Sequence, residues 1–139
     1  MRWCKPLFLV VLSAMMGGCG DEAHLKEYSE PMRVVNRAER YFTVLQDKLA
    51  SPDYSPANEA GIAGTTELVN VVLPYSLTKK LKDASARQQI APKLDQLQQV
   101  FGEEVRRPIY ADPPQLDRAR TGVQQCLDII GQMKGVLGS

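Results

Sequence analysis

Seven apolar side chains toward the C-terminal end, Leu116, Ala119, Val123, Cys126, Ile130, Met133 and Leu137, follow one another at alternating steps of three and four residues. That spacing puts all of them on one side of an α-helix, whereas on a strand they would be divided between two faces. The stripe therefore demands a long amphipathic helix with partners that carry matching stripes. The fold of the whole chain follows from finding those partners.

Upstream, Leu25, Tyr28, Met32 and Val35, then Phe42, Leu45 and Leu49, recur at helical spacing. They predict a first helix with Ser29 as N-cap, Pro31 in its first turn and a stop at Pro52. Residues 51–58 hold two prolines among turn formers and read as a loop. The segment from Glu59 ends in Leu68-Val-Asn-Val-Val-Leu73, β-branched enough for a strand, yet no partner strand is found elsewhere. It is read as a helix broken near Pro74. From Ser76 to Phe101, Leu77, Leu81 and Ala84, then Ile90, Leu94, Leu97 and Phe101, keep helical spacing with a phase shift between the two sets. Pro92 predicts a kink there or the first residue of a new helix. Gly102 is the expected C-terminal stop, 103–114 a second proline-bearing connection, and Asp112-Pro113-Pro114 the lead into the last helix. The sum is an all-α, up-and-down antiparallel four-helix bundle over residues 29–139.

A different logic governs residues 1–20. Arg2 and Lys5 precede the apolar run Leu7–Met16, which is followed by Gly17-Gly18-Cys19-Gly20. Ten residues rise only about 15 Å as a helix, half of a hydrocarbon core, so the run reads as a cleaved export signal. Its ending resembles the lipobox of bacterial lipoprotein precursors, with Met16 in place of the preferred Leu. The resemblance covers about twenty residues. It implies diacylglycerol on the Cys19 thiol, cleavage between Gly18 and Cys19, and acylation of the new amine. A signal peptide of residues 1–18, a lipidated tether of 19–28 and the bundle domain would follow. Gly20, where the enterobacterial sorting rule reads Asp as inner-membrane retention, implies a periplasm-facing site at the outer membrane of the cell envelope.

Removing eighteen residues from 139 leaves 121, enough for one domain with its own core. The full chain has 17 basic against 16 acidic residues, and loss of Arg2 and Lys5 leaves 15 against 16. Such a balance does not supply the concentrated basic surface that nucleic-acid binding needs. Cys4 and Trp3 leave with the signal and Cys19 is taken by lipid, so Cys126 remains as the single thiol. In the middle of the apolar stripe it is expected to be buried in the monomer. The alternative from the same periodicity is a dimer seam at which two such thiols meet.

Chemistry-bearing constellations are sparse. His24 is the only histidine and lies in the tether, so the domain has no histidine for a catalytic triad, a histidine-based zinc site or a haem. Arg33, Arg37 and Arg40 share a helix face, and Lys79, Lys80 and Lys82 form a second basic group; both read as solvated surface. Glu103-Glu104 are adjacent and do not converge on one substrate atom. Arg106, Arg107 and Tyr110 are the candidate contact for an anion or a protein partner, as two guanidinium groups and an aromatic ring in a connection.

The chain thus reads as a non-enzymatic lipoprotein, without cofactor or metal, held at the membrane by Cys19 and binding an envelope protein or ligand. A bundle of this size also resembles the cytochrome c′ type, which is exported and carries haem near the end of its last helix. The attachment pattern Cys-x-x-Cys-His is missing, since Cys126 is followed by Leu127, Asp128 and Ile129. Met32 and Met133 read as core filler rather than axial ligands. That resemblance therefore implies a haemless relative.

Overall fold

The computed structural model of the chain describes residues 30–52, 54 and 60–138. Four helices make up the described residues, with no strand among them. Helix α1 is Pro31–Leu49. Helix α2 covers 60–79, starting as the α-helical Ala60–Glu67 and widening into π turns at Leu68–Val72 and Tyr75–Lys79. Helix α3 covers 84–109, from Ala84–Val100 through a π segment, Phe101–Arg106, to a last turn at Arg107–Ile109. Helix α4 is Leu116–Gly138.

Cross-helix pairs give the antiparallel register. Arg120 Nε donates to the Leu49 carbonyl at 2.7 Å, Gln46 meets Gln124 at 2.9 Å, and Lys134 pairs with Glu39 at 2.9 Å, so α4 runs back along α1. Lys93 Nζ donates to Gln132 Oε1 at 2.9 Å between α3 and α4, and Gln98 Nε2 reaches the Val69 carbonyl at 3.3 Å between α3 and α2. The expected up-and-down bundle is the fold.

Its interior is one continuous apolar cluster fed by every helix. Val34, Val35, Ala38, Phe42, Leu45 and Leu49 are the buried face of α1; Ala119, Val123, Cys126, Ile130 and Met133 are the middle of the α4 stripe, with Leu116 and Leu137 half-buried at its ends. Phe42 and Phe101 meet edge to face at the centre, ring centroids 5.6 Å apart. Cys126 lies wholly inside, which settles the two readings of its position in favour of the monomer core. Burial pushes its thiol up to about 12, because the apolar surroundings disfavour a thiolate. The folded chain keeps the proton while the unfolded chain loses it above a pH of about 8.5, so stability present below that pH declines as pH rises toward 12. Thiol reagents are expected to modify Cys126 slowly in native protein and rapidly in denaturant; fast native labelling contradicts the burial.

The helix boundaries depart from expectation at four points. The N-cap of α1 is Glu30, not Ser29, with extended backbone and Pro31 as first residue; Ser29 itself lies outside the described residues. The helix does not break at Pro74. It passes through the proline, flanked by π turns in which the Leu73 amide reaches back five residues to the Leu68 carbonyl. Proline has no N–H to give and crowds the carbonyl four residues before it, and a wider turn relieves both demands. The break falls instead at 80–83, where the Asp83 carboxylate accepts from the Ser85 amide at 2.9 Å and the Ala86 amide at 3.4 Å and starts α3. Arg87 closes the turn by donating to the Leu81 and Lys82 carbonyls. Pro92 does not start a helix. It stands exposed inside α3. Gly102 is no stop, because α3 continues through it as a π segment and ends at Ile109, which shortens the second connection to 110–115.

Among the described residues, the Ser76 side chain is left in the core without a bond. Ser76, at the second proline-flanking π turn, is fully buried and its hydroxyl has no hydrogen-bond partner. A buried unsatisfied group of this kind costs about 1–3 kcal/mol. Ser76→Ala is therefore expected to leave the denaturation midpoint unchanged or to raise it, and a clear loss of stability would show that the hydroxyl is satisfied.

Candidate functional site

The π segment of α3 positions the residues singled out in the sequence. Glu104 sits four residues before Pro108, which has no N–H to donate to the Glu104 carbonyl, and there α4 approaches closely, at the buried Gly122. Arg118 of α4 closes the crossing from outside: its Nε and one terminal nitrogen each lie 3.0 Å from a different Glu104 carboxylate oxygen, and that nitrogen also reaches the Glu103 carbonyl at 3.4 Å. The guanidinium hydrogen bonds hold the Glu104 carboxyl below its ordinary range, and the carboxylate raises Arg118 in turn. The end of α3 is thus held in one place.

From it project the three candidates, and they are not equivalent. They lie on helix and its final turn rather than in the loop expected for them. Arg107 is tied to Glu103 one turn back at 2.9 Å, an exposed pair that contributes about 0.3–0.5 kcal/mol. Its charge is answered. Arg106 is exposed and makes no ion pair among the described residues. Tyr110 follows at the helix end, its amide donating to the Arg106 carbonyl at 3.1 Å and its ring 54% exposed. The structure keeps Arg106 with Tyr110 and draws Arg107 away to Glu103.

Arg106 and Tyr110 together form a ridge between two open hollows. One, of about 550 Å³, is lined by Gly102, Glu103, Arg107 and Ala111 beside the ridge. The other, of about 390 Å³, lies between the ridge and α2, where Ile62, Ala63, Thr66, Glu67, Asn70 and Val71 form its wall. The second hollow joins an unanswered guanidinium to a phenol ring, an amide and an exposed valine. Such a surface offers a guanidinium fork and an aromatic face to a ligand with an apolar body, with the Glu67 carboxylate also in its lining.

The α2 wall was not foreseen from the sequence. Val71 is 47% exposed while Val69 and Val72 are buried, and the π widening after Glu67 sets that phase. Among the described residues no group of three or more His, Cys, Asp or Glu side chains is placed to hold a metal ion. The other basic groups also separate. Arg33 pairs with Glu30 at 3.5 Å on the surface of α1, and Lys79, Lys80 and Lys82 stand exposed at the α2–α3 turn. Cys19, the tether and His24 lie outside the described residues.

No protein family, curated protein or solved structure matches the chain.

Proposed function

We propose that the protein is a lipid-anchored component of the bacterial cell envelope, facing the periplasm from the outer membrane, with a non-enzymatic binding domain. The observation that carries this reading is the ending Gly17-Gly18-Cys19 on an apolar run too short to stay in the membrane. One acyl chain holds a protein only marginally, and the two or three implied at Cys19 hold it firmly. No helix among the described residues is long and apolar enough to cross a membrane. The groove between Arg106, Tyr110 and α2 is the surface that takes an envelope protein or ligand.

Substitution at the anchor tests the reading. In a bacterial host the unaltered chain is expected to sediment with outer membranes and leave them only in detergent, whereas Cys19→Ala keeps its signal and incorporates no labelled fatty acid. Identical processing and fractionation of the two chains would overturn the proposal.

A further inference from the structure

The register gives the bundle two chemically different ends. At one end lie the start of α1, the α2–α3 turn and the close of α4: a Cβ on Gly138 would stand 3.8 Å from the Met32 methyl, and α2 and α3 join through 80–83. This end bears Arg33, Lys79, Lys80 and Lys82 against Glu30 and Asp83. Glu30 is taken by Arg33, and the Asp83 carboxylate caps α3. The three lysines are exposed and have no anionic partner among the described residues; Lys80 stands 5.5 Å over the Tyr75 ring, a contact that places the ammonium without neutralising it. At the opposite end Lys48, Arg106, Arg107, Arg118 and Arg120 are balanced by Asp47, Glu103, Glu104, Asp112 and Asp117. Three unanswered ammonium groups thus gather at the lysine end, whereas at the other Arg107, Arg118 and Arg120 are paired with Glu103, Glu104 and Asp117 and Arg106 alone of these guanidinium groups is left without an ion pair among the described residues.

That end is also where the chain enters from Cys19. From Cys19 to Pro31 is twelve residues, a reach of at most about 40 Å when fully extended. Helix α4, with 23 residues, is about 35 Å long. Turning the balanced end to the bilayer would require the tether to run extended along the whole bundle. Turning the lysine end to it requires nothing of the kind. We infer that the α2–α3 turn, through Lys79, Lys80 and Lys82, docks on an anionic phospholipid surface and stands the bundle upright, with the Arg106 groove directed away from the membrane. The orientation rests on the proposed lipidation of Cys19; the affinity of the lysine turn for anionic headgroups does not. Lysines near such a surface strengthen association roughly five-fold each.

Amine footprinting of the full-length protein as purified from the bacterial membrane tests this. The protein is placed in phosphatidylglycerol-rich vesicles and, separately, in pure phosphatidylcholine vesicles, and its acyl mass is read on the same sample. Expected are labelling rates at Lys79, Lys80 and Lys82 at least five-fold lower on the anionic vesicles, restored at about 1 M salt, where the Debye length is about 3 Å. Lys48, at the other end, should label equally on both. Equal labelling of the three lysines on the two surfaces, or protection of Lys48 in their place, overturns the inference. If the acyl mass is absent, the anchoring proposal fails by itself, and preferential protection of the three lysines by added anionic vesicles still decides the docking.

Discussion

Gly122→Ala is expected to destabilise the domain by about 2–3 kcal/mol, the upper part of the range for adding a methyl to a packed interior. A Cβ built on Gly122 would overlap the Glu104 carbonyl oxygen and stand only 2.7 Å from its carbon. Those atoms are backbone, fixed by the α3 π segment and by the Arg118–Glu104 clamp, so relief requires moving a helix rather than a side chain. The contrast lies on the same helix. At Gly131 and Gly135 an added Cβ meets nothing within 4 Å, and both are exposed. There the same substitution removes backbone freedom from the unfolded chain at no steric cost and is expected to stabilise by about 0.4–1 kcal/mol. Denaturant midpoints at constant slope measure the set. Equal effects at Gly122 and Gly135 would mean that α3 and α4 do not cross as described.

Phe42→Ala is expected to cost more, about 3–5 kcal/mol, by leaving a cavity at the centre of the bundle. Phe42 is fully buried and meets Phe101 edge to face at 88°, so truncation also removes a ring pair worth about 0.5–1.5 kcal/mol. Against the total of about 5–15 kcal/mol usual for a domain, the variant is expected to be marginally folded or to open on mild warming. Circular dichroism at the helix band reads the loss. A shift below about 1 kcal/mol would place Phe42 outside the core.

How far the sequence led can be traced residue by residue. The α4 stripe was legible because nothing interrupts its period from Leu116 to Leu137, and the α1 positions Val35, Phe42, Leu45 and Leu49 were legible for the same reason. Between them the period was disturbed by π turns, which insert a residue and rotate the apolar face. Pro74 and Gly102 therefore read as breaks in the sequence, although the helix runs through both, Pro74 between two π turns and Gly102 within one. The true break carried a signal of its own, Asp83 followed by Ala84, Ser85 and Ala86, the composition of an N-capped first turn. At the candidate site Arg106, Arg107 and Tyr110 were visible as residue types. That Glu103 answers one arginine and leaves the other depends on helical spacing in a stretch read as loop. The α2 wall of the groove was illegible without the register that brings Asn70 and Val71 beside Arg106.

Lipid on Cys19 is proposed to hold this bundle at a membrane, and an intact mass tests that proposal most directly. Protein extracted from the membranes of a bacterial host should begin at Cys19, carry the added mass of a diacylglycerol with or without a further acyl chain, and show no tryptophan fluorescence, since Trp3 leaves with residues 1–18. A chain that retains Trp3, or that carries Cys19 as a free thiol in a water-soluble fraction, would contradict it.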